Sequence, residues 1–167
     1  MTDVLLAWLV RWGHVAAAGV WVGGYAVLAL VIVPSLQKRP DEAVARLALA
    51  SVRLLPYAGA ATMLFGLLLI WRTRGFASLW GGEWGGIVIS SFVVAFALMG
   101  IGDGPLRASI RRLVASGDGQ SAVGEAGVSR AAGERGPAGR AARRWAIAAL
   151  VLVVLAVALM TRAPYAR

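Results

Sequence analysis

Four stretches of this chain are apolar on every face and about as long as a membrane is thick. A helix needs about 20 mostly apolar residues to cross a hydrocarbon layer of ~30 Å. The first stretch runs over about 4–34, interrupted by Arg11 and His14, and the others run over about 53–72, 84–103 and 145–161. A helix lying on a soluble core shows one apolar stripe, whereas these segments have no polar face, as expected for helices in lipid. Tryptophans gather near their ends (Trp8, Trp12, Trp71, Trp80, Trp84 and Trp145), where amphipathic rings settle at headgroup level. Trp21 alone sits well inside a span. The expected fold is all-α, an integral membrane four-helix bundle in which residues 1–167 form one domain.

Composition excludes the main alternatives. The chain is 59% hydrophobic and 15% charged, while a soluble domain has roughly a quarter of its residues charged. A soluble enzyme is therefore excluded. The absence of cysteine removes disulfides, thiolate metal sites and iron–sulfur ligation together. The one histidine, His14, means that no multi-histidine metal site forms within one chain. The N-terminus carries Asp3 in place of a basic region, and its apolar run is too long for a signal core, so it reads as a retained helix.

The formal charge of +9 reports orientation. Twelve basic residues fall on one side: Lys38, Arg39, Arg46 and Arg53 around the first connection, and Arg107, Arg111, Arg112, Arg130, Arg135, Arg140, Arg143 and Arg144 in the third. Five fall on the other: Arg11, Arg72, Arg74, Arg162 and Arg167. The positive-inside rule then makes the protein N-out and C-out, with the lipid bilayer as its main partner and no need for nucleic acid. Pro40, Asp41 and Glu42 suit the first turn of a helix that enters the membrane near Arg53, with Pro56 placed to kink it. Residues 113–140 are rich in Gly, Ala, Ser and Arg, without apolar periodicity, and read as a mobile cytoplasmic loop.

Chemistry concentrates in helix one. At helical spacing His14, Ala17, Ala18, Trp21, Tyr25 and Leu28 share one face. Gly13, Ala16, Gly19, Gly23 and Gly24 give the adjoining face a small-residue strip that admits a helix or a flat cofactor close to the backbone. An ionisable residue in or beside a span is a functional candidate, and histidine brings metal ligation and proton transfer. The plain alternative is a His14 that hydrogen-bonds a neighbouring helix or sits hydrated near the interface.

These residues carry a resemblance. The early histidine followed by Trp21-Val22-Gly23-Gly24 resembles the membrane domain of the copper resistance protein D (CopD) family and, more distantly, the HemJ type of small membrane proteins. Val33-Pro34-Ser35-Leu36, Arg53, Gly102-Asp103-Gly104-Pro105-Leu106 and Arg162-Ala163-Pro164 extend it over most of the chain. The resemblance implies a four-helix unit in a bacterial cytoplasmic membrane, with haem b or copper as its cofactor or cargo. It carries over to His14, Trp21, Gly23, Gly24 and Arg53. The relatives add a second histidine near the end of helix three, where this chain reads Met99-Gly100-Ile101-Gly102-Asp103.

Setting Arg11, Arg72, Glu83 and Arg162 at one level places His14 beside Leu69, Gly86 and Met160. Gly13, Gly85 and Gly86 then leave room for a porphyrin edge. Met160, or Met63 if helix one lies deeper, offers a second axial ligand, since His/Met ligation of haem is workable; a homodimer supplying His14 from each chain is another route. The leading expectation is a haem b-binding membrane protein with a redox-linked role, His14 being the metal ligand. The alternatives are a non-enzymatic accessory or scaffold subunit of a larger membrane complex and a copper-uptake element. Scattered methionines weaken the latter, and the lack of a membrane carboxylate to orient His14 argues against acid–base catalysis.

Overall fold

The computed structural model describes residues 2–38, 41–118 and 125–162. Its helices form four rods. Rod α1 comprises Thr2–Val27, a π-helical turn at Leu28–Ile32 and a last stretch Val33–Lys38. Rod α2 is Glu42–Thr73, and a 3₁₀ turn at Phe76–Trp80 leads to α3. Rod α3 comprises Gly82–Ile101, a second π turn at Gly102–Leu106 and Arg107–Asp118; α4 is Glu125–Arg162. No strand occurs among the described residues. Arg39, Pro40, residues 119–124 of the expected connector and residues 163–167 lie outside them.

Local chemistry explains the ends. Asp41 is the N-cap of α2, its Oδ1 accepting from the Ala43 N–H at 2.8 Å, and Glu42 occupies the first turn. Such a cap satisfies a backbone donor that the helix cannot. Gly75 closes the same helix, with φ of 74° and its N–H on the Ile70 carbonyl at 2.8 Å. A left-handed conformation of this kind favours glycine.

Proline shapes the interiors. A helical proline lacks an N–H and crowds the carbonyl four residues back, and widening to a π turn is one way to absorb that. Both π turns adjoin a proline: Pro34 follows the first and Pro105 lies in the second. In the first, the Val33 N–H reaches back five residues to Leu28. Helix three therefore does not close at Gly102–Leu106 as the sequence suggested; it continues to Asp118. The expected irregular connector is likewise helical at 113–118 and again from Glu125 onward. The periodicity that sustains the extension is Leu106, Ile110 and Leu113, all buried in one cluster with Ala142, Ala146 and Ala149 of α4.

Each of four helices is long and apolar enough to cross a membrane. Within their most apolar windows only 17–39% of residues are buried inside the protein, so most of that surface faces outward, where hydrocarbon can cover it. Trp8, Trp12, Trp71 and Trp80 are exposed, consistent with an interfacial girdle, and Trp21 is buried. At one end of the bundle Arg72 Nη2 pairs with Asp3 Oδ1 at 3.5 Å and Arg162 Nη2 with Glu83 Oε1 at 2.7 Å. The first pair joins α1 to α2 and the second joins α3 to α4.

Packing is uneven along the bundle. The main core gathers Trp21–Leu36 of α1, Ala48–Leu55 of α2, Ala95–Leu113 of α3 and Ala142–Val153 of α4, all toward the end remote from those ion pairs. There Gln37 Nε2 donates to the Gly139 carbonyl at 2.6 Å. Close helix approach rests on glycines. A Cβ on Gly24 would meet Leu55, one on Gly59 would lie 2.7 Å from the Trp21 indole, and one on Gly102 would meet the Tyr25 hydroxyl. Gly19 and Gly23, by contrast, have open space beside them, so the Gly19-x-x-x-Gly23 part of the strip faces outward within this chain.

The sharpest backbone approach is at Gly85, where a Cβ would collide with the Leu79 carbonyl oxygen of the 3₁₀ turn, whereas Gly86 opens onto free space. Gly85→Ala is expected to lower stability by ~1–3 kcal/mol, the range for overpacking, and Gly86→Ala to leave it nearly unchanged. Thermal melting of the two purified variants in detergent checks this, and equal melting temperatures would contradict it.

Candidate functional site

His14 projects from α1 toward α2. Its Nδ1 lies 2.9 Å from the Thr62 backbone carbonyl. A carbonyl only accepts, so Nδ1 carries the proton, and in the neutral ring Nε2 holds the lone pair. Nε2 has no hydrogen-bond partner among the described residues. An imidazole fixed in this way, with one nitrogen donating to a backbone carbonyl, is the arrangement that orients a ligating histidine.

Gly66 makes the contact accessible. Helical side chains lean toward the N-terminus, so the residue at i+4 normally shields the carbonyl at i. At position 66 there is no side chain, and a Cβ there would come within 3.3 Å of His14 Cε1. The Thr62 hydroxyl is occupied elsewhere, donating to the Ala58 carbonyl at 2.8 Å.

The imidazole borders a cavity of about 430 Å³ between the α1–α2 and α3–α4 pairs, within the ~300–1,000 Å³ usual for small-molecule sites. Its wall is mainly apolar, with Thr62, Ser91 and the outer Thr73 and Thr161 as hydroxyl-bearing members. Of these, Thr62 and Ser91 are buried, and Ser91 donates to the Ile87 carbonyl at 2.8 Å. The cavity lies between the main core, whose Trp21, Ala95 and Val153 form its inner wall, and the Asp3–Arg72 and Glu83–Arg162 pairs. At the rim Trp84 carries the Arg74 guanidinium 4.8 Å above its ring, a cation–π contact.

The candidate residues divide. His14, Trp21, Met63 and Met160 all line this one cavity. Gly13 and Gly86 are not part of its lining: a Cβ on Gly13 would be 2.8 Å from the Phe65 ring, and Gly86 faces open space. Gly13 therefore has no free space beside its backbone, while the space beside Gly86 lies outside the lining of this cavity. Trp21 is buried, and its Nε1 has no partner among the described residues. No group of three or more His, Asp or Glu side chains converges among the described residues.

The depth of His14 also changes. Gly13 lies against Phe65, Gly24 against Leu55 and Gly59 against Trp21, so α1 is shifted along α2 by about one turn from the level set by Arg11 and Arg72, and Arg72 reaches Asp3 instead. His14 then faces Thr62 and Gly66 instead of Leu69. Thr62 lies nine residues from Arg53 and ten from Arg72, or ~14–15 Å from each at 1.5 Å rise per residue.

Sequence reasoning missed Thr62 and Gly66. A lone threonine four residues before a glycine, inside an apolar span, is the signal that was present. Comparison with family models, curated proteins and solved structures finds no match to this chain.

The tautomer is directly measurable because the chain has one histidine. Nitrogen-15 NMR of histidine-labelled protein in detergent is expected to show a protonated Nδ1 and an unprotonated Nε2. Gly66→Leu is expected to displace the ring and abolish that signature. The opposite tautomer in the unmodified protein would refute the assignment.

Proposed function

We propose that this protein binds haem b in the cavity beside His14 and serves a redox-linked role in a bacterial cytoplasmic membrane, as a member of the CopD-like group it resembles. The observation that carries the reading is the His14–Thr62 contact of 2.9 Å, which leaves Nε2 as the available ligand atom beside an apolar cavity. Two thioethers, Met63 of α2 and Met160 of α4, line the same cavity, and His/Met is a workable haem ligand pair. The donor set therefore suits the iron, and the apolar lining suits the macrocycle.

Bound haem supplies one-electron chemistry; the chain's own residues do the rest. His14 holds its proton on Nδ1 and presents Nε2, the Thr62 carbonyl fixes the ring, and Gly66 keeps the approach open. The apolar wall excludes water from the metal, a lever on redox potential. Arg74 at the rim is suitably placed to attract an acidic edge group, such as a porphyrin propionate, toward the polar end of the cavity.

Twelve basic residues against five favour an N-out, C-out orientation, with the Phe76–Trp80 turn outside. A second reading, an accessory subunit of a larger membrane complex, is favoured by the outward-facing Gly19 and Gly23, which allow close approach of another helix. A copper-uptake role rests on the resemblance alone.

Protein purified with haem supplied during expression is expected to show a Soret band. His14→Ala should abolish it, while Met160→Leu or Met63→Leu, whichever removes the axial thioether, should shift it. No band in the unmodified protein, or one indifferent to His14→Ala, would overturn the haem reading. Orientation is testable separately because the chain lacks cysteine. Ala77→Cys is expected to react with an impermeant maleimide on intact cells, and Ala115→Cys only after permeabilisation; the reverse pattern would invert the topology.

A further inference from the structure

A second cavity, of about 720 Å³, opens between α2 and α3 toward the end remote from the two inter-helix ion pairs. Its lining is graded. Arg53 of α2 and the Asp103–Arg107 pair of α3 provide its charges. One turn further into the apolar spans stand Tyr57 and, on α3, Gly100, with Phe96 one turn beyond it. Tyr57 is 75% exposed and Phe96 63% exposed, so this part of the groove is an uncovered aromatic surface.

The charges are not equivalent. Arg107 Nη1 holds Asp103 Oδ1 at 2.7 Å, which largely neutralises both. Arg53 is exposed and makes no ion pair or hydrogen bond among the described residues. The groove thus offers an uncommitted guanidinium at a membrane boundary, directly above apolar surface that also lacks a protein partner.

We infer that this groove binds an anionic glycerophospholipid, with its phosphate on Arg53 and an acyl chain along Tyr57 and Phe96. The inference rests on the membrane reading of the four helices and is independent of haem. Guanidinium groups bind phosphate through paired N–H donors, and basic pockets between membrane helices accept lipid headgroups. Free phosphate satisfies Arg53 equally well but gains nothing from the aromatic surface below it. A zwitterionic lipid gains the surface but carries its own cation beside the phosphate. The graded groove favours the molecule that is both anionic and chain-bearing.

Gly100 provides an independent handle, because a Cβ there has no protein atom within 4 Å and the residue lines the groove. The test is native mass spectrometry of the full chain in detergent with phosphatidylglycerol or phosphatidylcholine of identical chains. Phosphatidylglycerol is expected to be retained about five-fold better, the preference expected from one basic residue near an anionic headgroup. Arg53→Gln should remove the preference, and Gly100→Leu should lower retention of both lipids while keeping the wild-type melting temperature. Arg46→Gln, which alters an exposed arginine beside Glu42, should change neither. Equal retention of the two lipids by the unmodified protein overturns the proposal. So does unchanged behaviour in either groove variant, or an equal loss in Arg46→Gln. Displacement of the lipid by equimolar inorganic phosphate would identify a free-anion site and also overturn it.

Discussion

The contact between α1 and α2 sets the geometry on which the rest depends. Gly13 lies against Phe65, Gly24 against Leu55, Gly59 against the Trp21 indole and Gly66 against the His14 ring. Glycines on one helix thus receive bulky side chains from the other, in both directions. Between lipid-solvated helices there is little hydrophobic drive to associate, so van der Waals fit and interhelical hydrogen bonds carry association. The interlocking brings the His14 imidazole within reach of a carbonyl that a helix normally covers. It also fixes the depth of the imidazole, through the same register that pairs Asp3 with Arg72.

A second consequence is the asymmetry along the bundle. Alanines at 142, 146 and 149 of α4 allow Leu106, Ile110 and Leu113 to approach closely, and the helices are tightly packed at that end. At the other end the two ion pairs join α1 to α2 and α3 to α4. Neither crosses between these two pairs of helices. The space left there is the cavity that His14 borders, so a densely packed end supports a more open one.

How much of this was legible in the sequence follows from what each feature depends on. The four spans depend on apolar length alone, and 53–72 and 84–103 fall within the helices observed. The end of helix three was misread because Gly102, Gly104 and Pro105 are local helix breakers, whereas the outcome was set by Leu106, Ile110 and Leu113 finding α4. Met63 and Met160 meet His14 at one cavity, which spacing within single helices could only bracket as alternatives. That Gly13 lies against Phe65 and Gly86 beside open space are facts of packing between helices, which the sequence of one helix does not carry. The level of His14 depends on register, and setting Arg11, Arg72, Glu83 and Arg162 at one height does not resolve a shift of about one turn, because an arginine side chain reaches that far along the axis. Thr62 escaped notice because its contribution is a backbone carbonyl, which every residue possesses.

That last point has a consequence for how the site tolerates change. Side-chain partners can be lost by one substitution, but the oxygen facing His14 belongs to the main chain and persists whatever stands at position 62. Sequence drift along α2 can therefore alter the threonine without silencing the hydrogen bond, provided no bulky side chain grows at position 66. The vulnerability of the arrangement has been transferred from the residue that makes the contact to one that makes none.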